Sequence, residues 1–220
     1  KLLRAMGAEI AVEGRTIRVA ASRLRAAEHT LIPDRMEAGT MLLAAAIARG
    51  EATAEDVDPE DLSPLSDALR HAGVDVQEDG RSVTVSASGP LRGTAIETAP
   101  HPGFPTDLHP PFAALLTVAH GTSRVTETVF ESRFTYVDPL RAMGAQIAVD
   151  GRTATISGVE RLRAGSIEAP DIRAGAALVL AALAAEGTTT LGGLEHIDRG
   201  YERLTEKLRL LGARIERQST

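Results

Sequence analysis

The residues best placed to do chemistry are acids and arginines at strand-to-helix junctions. Asp107 follows Thr106 behind a run with three prolines and a glycine, Pro100-His101-Pro102-Gly103-Phe104-Pro105. A carboxylate there has two readings. It can cap the helix that holds Phe112 to Val118, accepting from free backbone N–H groups. It can also act as a general base toward a hydroxyl substrate, held by a loop whose prolines lower its ordering cost. Asp171 and Arg173 stand at a second such junction, His196, Asp198 and Arg199 at a third, and Phe130, Glu131 and Arg133 at a comparable one. Taken singly, each Asp reads as a cap and each Arg as a solvated charge. Together they describe an anion site, because guanidinium groups add charge where helix N-termini already attract anions. Two or three such junctions on one rim would make a pocket for phosphate and carboxylate.

The elements that must carry these residues repeat along the chain. Met6-Gly7-Ala8-Glu9-Ile10 returns as Ala72-Gly73-Val74-Asp75-Val76, Met143-Gly144-Ala145-Gln146-Ile147 and Leu211-Gly212-Ala213-Arg214-Ile215, with glycines 66, 71 and 68 residues apart. Each copy reads as a helix ending at that glycine, a hairpin turning at Glu13-Gly14, Asp79-Gly80 or Asp150-Gly151, a short strand, an Ala-rich helix, a Gly-led strand and a further helix. A helix is expected over Tyr201 to Leu211, and a strand around Arg214 to Glu216. The fourth hairpin turn would begin at Thr220. Both ends read as those of a fragment of a longer protein. Asp34 and Asp171 are 137 residues apart, as are Gly7 and Gly144, so copies one and three are in register. Copy two has Pro100 at the matching place, and the run to Asp107 is an insertion, a usual way to build a site on a repeating scaffold.

Composition narrows the chemistry. The 220 residues contain no cysteine, which excludes disulfides, thiolate metal sites and a thiol nucleophile. A net charge of −6 argues against nucleic acid. The longest small and apolar run, Ala174 to Ala185, is too short to span a bilayer. With aromatics at 3%, the core must be built from Ala, Leu, Val and Ile. No phosphate loop, dinucleotide fingerprint or nucleophile elbow occurs. His29, His71 and His120 are isolated, and His101 and His109 flank Asp107 without metal-ligand spacing. No metal or cofactor is expected.

Four segments carry a resemblance: Ile32-Pro33-Asp34-Arg35 with Glu37 and Gly39-Thr40; Thr98 through Asp107; Thr126-Glu127-Thr128-Val129-Phe130-Glu131-Ser132-Arg133-Phe134; and His196-Ile197-Asp198-Arg199-Gly200-Tyr201-Glu202. They resemble the UDP-N-acetylglucosamine enolpyruvyl transferase family, over the whole chain but only about the C-terminal half of such an enzyme. The resemblance implies an α/β (α+β) fold, an inside-out α/β barrel of repeated ββαβα-like units with helices inside and sheets outside. Residues 1–31 would be a remnant of the first domain, and residues 32–220 the second domain with its last unit incomplete. It implies cytoplasmic transfer of enolpyruvate from phosphoenolpyruvate to the 3′-hydroxyl of UDP-N-acetylglucosamine, in peptidoglycan synthesis and hence wall growth and division. By motif, Asp107 resembles the base and the backbone of Val129 a UDP-sugar contact, with Phe130 and Arg133 beside it. Arg173 and Arg199 resemble residues near phosphoenolpyruvate, with Asp171 their polar partner. The family's N-terminal Lys-Asn pair and its loop with a Cys or Asp acid have no counterpart here, so the isolated chain is expected to be inactive without its missing N-terminal half. His109-Pro110-Pro111 also departs from the family's polar residues at the helix start. The alternatives are shikimate-3-phosphate enolpyruvyl transfer and a non-catalytic repeat module.

Overall fold

The computed structural model describes residues 1–14 and 16–218. Two compact units emerge, Lys1–Pro33 and Asp34–Thr220. In the first, α1 (Leu2–Ala5) leads to a hairpin of β1 (Ile10–Glu13) and β2 (Thr16–Val19). The third strand expected in this copy does not form: no strand occurs between Val19 and Asp34.

The second unit runs α2 (Arg35–Ile47), β3 (Glu51–Glu55), α3 (Pro59–His71), β4 (Asp75–Asp79), β5 (Ser82–Ser86) and β6 (Ala95–Glu97). It continues with a 3₁₀ turn (Thr106–Leu108), α4 (His109–Leu116), β7 (Thr122–Thr126), a second 3₁₀ turn (Arg133–Tyr136) and α5 (Val137–Ala142). The last part holds β8 (Gln146–Asp150), β9 (Thr153–Ser157), β10 (Leu162–Arg163), β11 (Ser166–Glu168), α6 (Ile172–Ala184), β12 (Ala185–Glu186), β13 (Thr190–Gly192), α7 (Leu194–Asp198) and α8 (Leu204–Leu210).

The predicted turn glycines take the conformations their positions require. Gly73 and Gly144 end α3 and α5 at φ of 86° and 93°, and Gly80 and Gly151 turn the two hairpins at 57° and 55°. Helices α2, α4 and α6 pack on one another as the core. All eight residues of α4 are buried, as is Ala174–Ala181 of α6, which suits helices apolar on every side. Around them lie sheets in the order β3-β5-β4 and β6-β7-β9-β8 and the pairs β10-β12 and β11-β13. The strands following α2 and α4 pair with the hairpin of the next copy, β3 with β5 and β7 with β9, so these repeats interlock, whereas β12 after α6 pairs with β10. The helices are thus interior and the sheets peripheral, with Val83, Val85, Val125, Ala154 and Ile156 turned to the core.

Two expected elements differ. The helix expected over Tyr201 to Leu211 is shorter, α8 starting only at Leu204 because Arg203 breaks the path at φ 52°, and His196 and Asp198, expected at the junction before it, lie in a helix of their own, α7. No strand forms at Arg214 to Glu216, although Ile215 packs on the core; the turn expected at Thr220 lies outside the described residues.

Close backbone approach makes one position sensitive. A Cβ on Gly158 would stand 1.6 Å from the carbonyl oxygen of Ala119. Gly158→Ala is therefore expected to cost about 3 kcal/mol or more, read as a lowered urea midpoint at unchanged slope.

Candidate active site

In copies one and three the capping reading holds. Asp34 accepts from the N–H groups of Met36 and Glu37, and Asp171 from those of Arg173 and Ala174. At Asp107 it fails. The insertion winds Thr106–Leu108 into a 3₁₀ turn, and α4 begins at His109 with no side-chain cap. Pro110 and Pro111 fall in its first turn, where the missing N–H groups cost nothing. The departure at His109-Pro110-Pro111 is thus compatible with a normal helix start.

Freed from capping, the Asp107 carboxylate faces two guanidinium groups. Oδ1 lies 2.9 Å from an Arg133 nitrogen and Oδ2 lies 2.8 Å from an Arg173 nitrogen. All three side chains are partly exposed, Asp107 by 31%. They come from the 3₁₀ turn before α4, the one before α5 and the first turn of α6, so only the tertiary fold assembles them. Arg133 also donates through Nε to the Thr106 hydroxyl at 3.1 Å and lies over the Phe130 ring, 4.6 Å from its centroid. Arg173 donates to the Tyr201 hydroxyl, which is also bonded to Thr40. Asp171 takes a hydrogen bond from Thr135.

The other sequence candidates are less engaged. Val129 and Phe130 are about half exposed, and the Val129 N–H is taken by Glu127. Arg199 caps the C-terminus of α7, exposed, and makes no ion pair among the described residues. Asp198 instead pairs with Arg217 at 2.6 Å. His101 bonds to Arg35. No cluster of potential metal ligands occurs among the described residues.

Beneath the ion cluster lies a network that residue-by-residue reasoning overlooked. Glu127 is fully buried and accepts from Thr98, Thr106, His109 and the N–H groups of Val129 and Phe130. His109 reaches on to Tyr136 at 2.8 Å. One signal was available: Ser123, Val125 and Glu127 share the inward parity of β7, and a glutamate turned to a core needs partners.

Titration follows this burial. Desolvation opposes the Glu127 charge, but the hydrogen bonds from His109, Phe130, Thr98 and Val129 outweigh it and hold its carboxyl well below the usual range. Burial lowers His109 below its ordinary 6.5, against the pull of Glu127, so its ring is neutral at pH 7. Burial raises Asp171, yet Thr135, the N–H groups of Ala174 and Arg173, and the charge of Arg133 bring it down on balance. In all three cases the unfolded chain binds protons that the folded chain refuses, so stability falls as pH falls. The first loss is expected below about pH 6.5 from His109, and a steeper one below about 4.5 from Glu127, joined below about 3.8 by Asp171. Urea midpoints between about pH 8 and 3 check this, and His109→Gln should remove the upper limb alone.

Comparison with known proteins gives the family to which the chain belongs. The family model described as EPSP synthase (3-phosphoshikimate 1-carboxyvinyltransferase) matches residues 1–208. A UDP-N-acetylglucosamine 1-carboxyvinyltransferase of Desulfofundulus thermocisternus is 52% identical over 189 residues, 86% of this chain and 78% of the relative. The chain belongs to the EPSP synthase family and stands with its UDP-N-acetylglucosamine 1-carboxyvinyltransferases. A second carboxyvinyltransferase of that name, from Symbiobacterium thermophilum, is 50% identical over 202 residues, 91% of this chain and 48% of the relative. The crystal structure of the enolpyruvyl transferase NikO from Streptomyces tendae superposes with a TM-score of 0.84 at 34% identity, over 97% of this chain and 52% of NikO. The fold is therefore the enolpyruvyl transferase type. The chain spans about half the length of the curated relative from Symbiobacterium.

Proposed function

We propose that this chain supplies the acceptor-sugar and anion side of an enolpyruvyl transferase that moves enolpyruvate from phosphoenolpyruvate to the 3′-hydroxyl of UDP-N-acetylglucosamine. The observation that carries the reading is the Asp107 carboxylate bracketed by Arg133 and Arg173 at a partly exposed junction. In this reading Asp107 takes the hydroxyl proton as the oxygen attacks C2 of phosphoenolpyruvate, and an acid elsewhere protonates C3. The C3 proton is then lost as the C–O bond to phosphate breaks, which restores the double bond and releases inorganic phosphate. Arg133 and Arg173 offset the phosphate and carboxylate charges, with exposed Arg199 as a third guanidinium, and Asp171 orients Arg173 through its N–H. Phe130 and the Val129 carbonyl face the UDP-sugar. The acid that protonates C3 belongs to the half of the family's length that this stretch does not match, so the partner in catalysis is that N-terminal half. The step is cytoplasmic and feeds peptidoglycan synthesis, and through it wall growth and division. No helix among the described residues is long and apolar enough to cross a membrane.

Thermal melting of the 220-residue chain tests the reading. UDP-N-acetylglucosamine at a hundredfold excess over its dissociation constant should add about 2.7 kcal/mol of stability, and shikimate 3-phosphate none. A response to shikimate 3-phosphate alone would transfer the chain to that substrate, and no response to either would leave a non-catalytic module. Phosphate release by the isolated chain is expected to be absent.

A further inference from the structure

One buried carboxylate remains once the charges of the site are paired. Glu127 makes no ion pair with an arginine among the described residues, yet its two oxygens take five donors. Oε1 accepts from the Thr98 hydroxyl at 2.7 Å and the N–H groups of Val129 and Phe130 at 2.7 and 2.9 Å. Oε2 accepts from the Thr106 hydroxyl and His109 Nδ1, both at 2.8 Å. The donors follow β6, lead into α4 and follow β7, three stretches that converge on this carboxylate. Thr106 passes the constraint on, because its oxygen accepts from Arg133 Nε at 3.1 Å.

The proton positions follow from donor and acceptor count. An ionised carboxylate only accepts, so His109 carries its proton on Nδ1. A neutral ring then has a bare Nε2, and the Tyr136 hydroxyl, 2.8 Å away, must donate to it. Tyr136 is fully buried and burial pushes its pKa up, which keeps that proton in place.

We infer that Glu127 is a positioning residue for the ligand site: backed by His109 and Tyr136, its carboxylate locks the Thr106-Asp107 turn to the Val129-Phe130 loop and so sets Arg133 against Asp107. The inference rests on the proposed ligand site, and it concerns groups that touch no ligand. Buried, fully satisfied networks hold such loops in one arrangement, whereas a half-satisfied one releases them.

Nuclear magnetic resonance of the isotope-labelled 220-residue chain, with UDP-N-acetylglucosamine titrations, tests it. The wild-type ring of His109 should report the Nδ1–H tautomer, and Arg133 a slowly exchanging Nε–H. In Glu127→Gln the new NH2 must sit on the Oε2 side, since backbone N–H groups cannot reverse while Thr106 can rotate and His109 can move its proton. His109 should then report Nε2–H, the Arg133 signal should be lost, and sugar affinity should fall about tenfold. His109→Leu should weaken binding similarly. His109→Gln should restore it to within about twofold, because an amide offers the same donor and acceptor. An Nε2–H tautomer in the wild type overturns the inference. So does a folded Glu127→Gln chain with an unchanged Arg133 signal and affinity. If Glu127→Gln does not fold, the wild-type tautomer and the two His109 variants decide. If the wild-type chain binds no UDP-sugar, the proposed function fails, while the tautomer and Arg133 signals still judge the positioning role.

Discussion

Replacing Glu127 by alanine is expected to destabilise the Asp34–Thr220 unit by about 3–5 kcal/mol, the largest effect of any single change at the site. The variant removes the one acceptor shared by two hydroxyls, two backbone N–H groups and an imidazole, around a carboxylate that is itself fully buried. Each donor left without a partner bears its own desolvation cost, and the side chain leaves a cavity as well. Urea denaturation at pH 7 measures it. A loss under about 1 kcal/mol would mean that water or a rotated partner fills the gap, and that the network is not a structural keystone.

Asp107→Asn is expected to act in two opposite directions. The substitution keeps the shape of the 3₁₀ turn but removes the charge that neutralises Arg133 and Arg173, whose nitrogens stand 2.9 and 2.8 Å from it. The chain loses an internal competitor for anions, and its affinity for inorganic phosphate or phosphoenolpyruvate should rise about tenfold, some 1.4 kcal/mol. A complete transferase carrying this stretch should lose turnover by about 10²- to 10⁴-fold, because an amide cannot take the proton of the sugar hydroxyl. Calorimetry with phosphoenolpyruvate and steady-state phosphate release measure the two arms. Unchanged or weaker anion binding would show that these guanidinium groups do not form the anion site, and full turnover would remove Asp107 as the base.

Much of the scaffold is readable along the chain because its determinants are local. A glycine seven residues after a helix-ending glycine turns a hairpin whether or not the rest of the molecule is known, since only the backbone at that residue must reach positive φ. The interior of α4 and α6 is announced by their apolar residues on every side. Where the reading failed, a non-local choice decided. Asp107 and Asp171 both precede helices, yet only Asp171 caps one, because the insertion in copy two adds a 3₁₀ turn ahead of α4. The path around Arg203, which delays the helix expected from Tyr201 until Leu204, is likewise invisible to apolar spacing.

The repeat, the turn glycines, the family resemblance and the types of residue at each junction are all written along the chain. Which of those residues meet depends on the packed fold. Arg133 and Arg173 reach Asp107 from segments 26 and 66 positions away in the chain, and Arg199 does not join them in an ion pair among the described residues. The buried Glu127-His109-Tyr136 chain also arises only when β7, α4 and the turn before α5 pack together. The reason is physical: caps and turns are set by torsions and hydrogen bonds within a few residues, whereas a charge cluster or buried polar network depends on distances that only the packed core can hold.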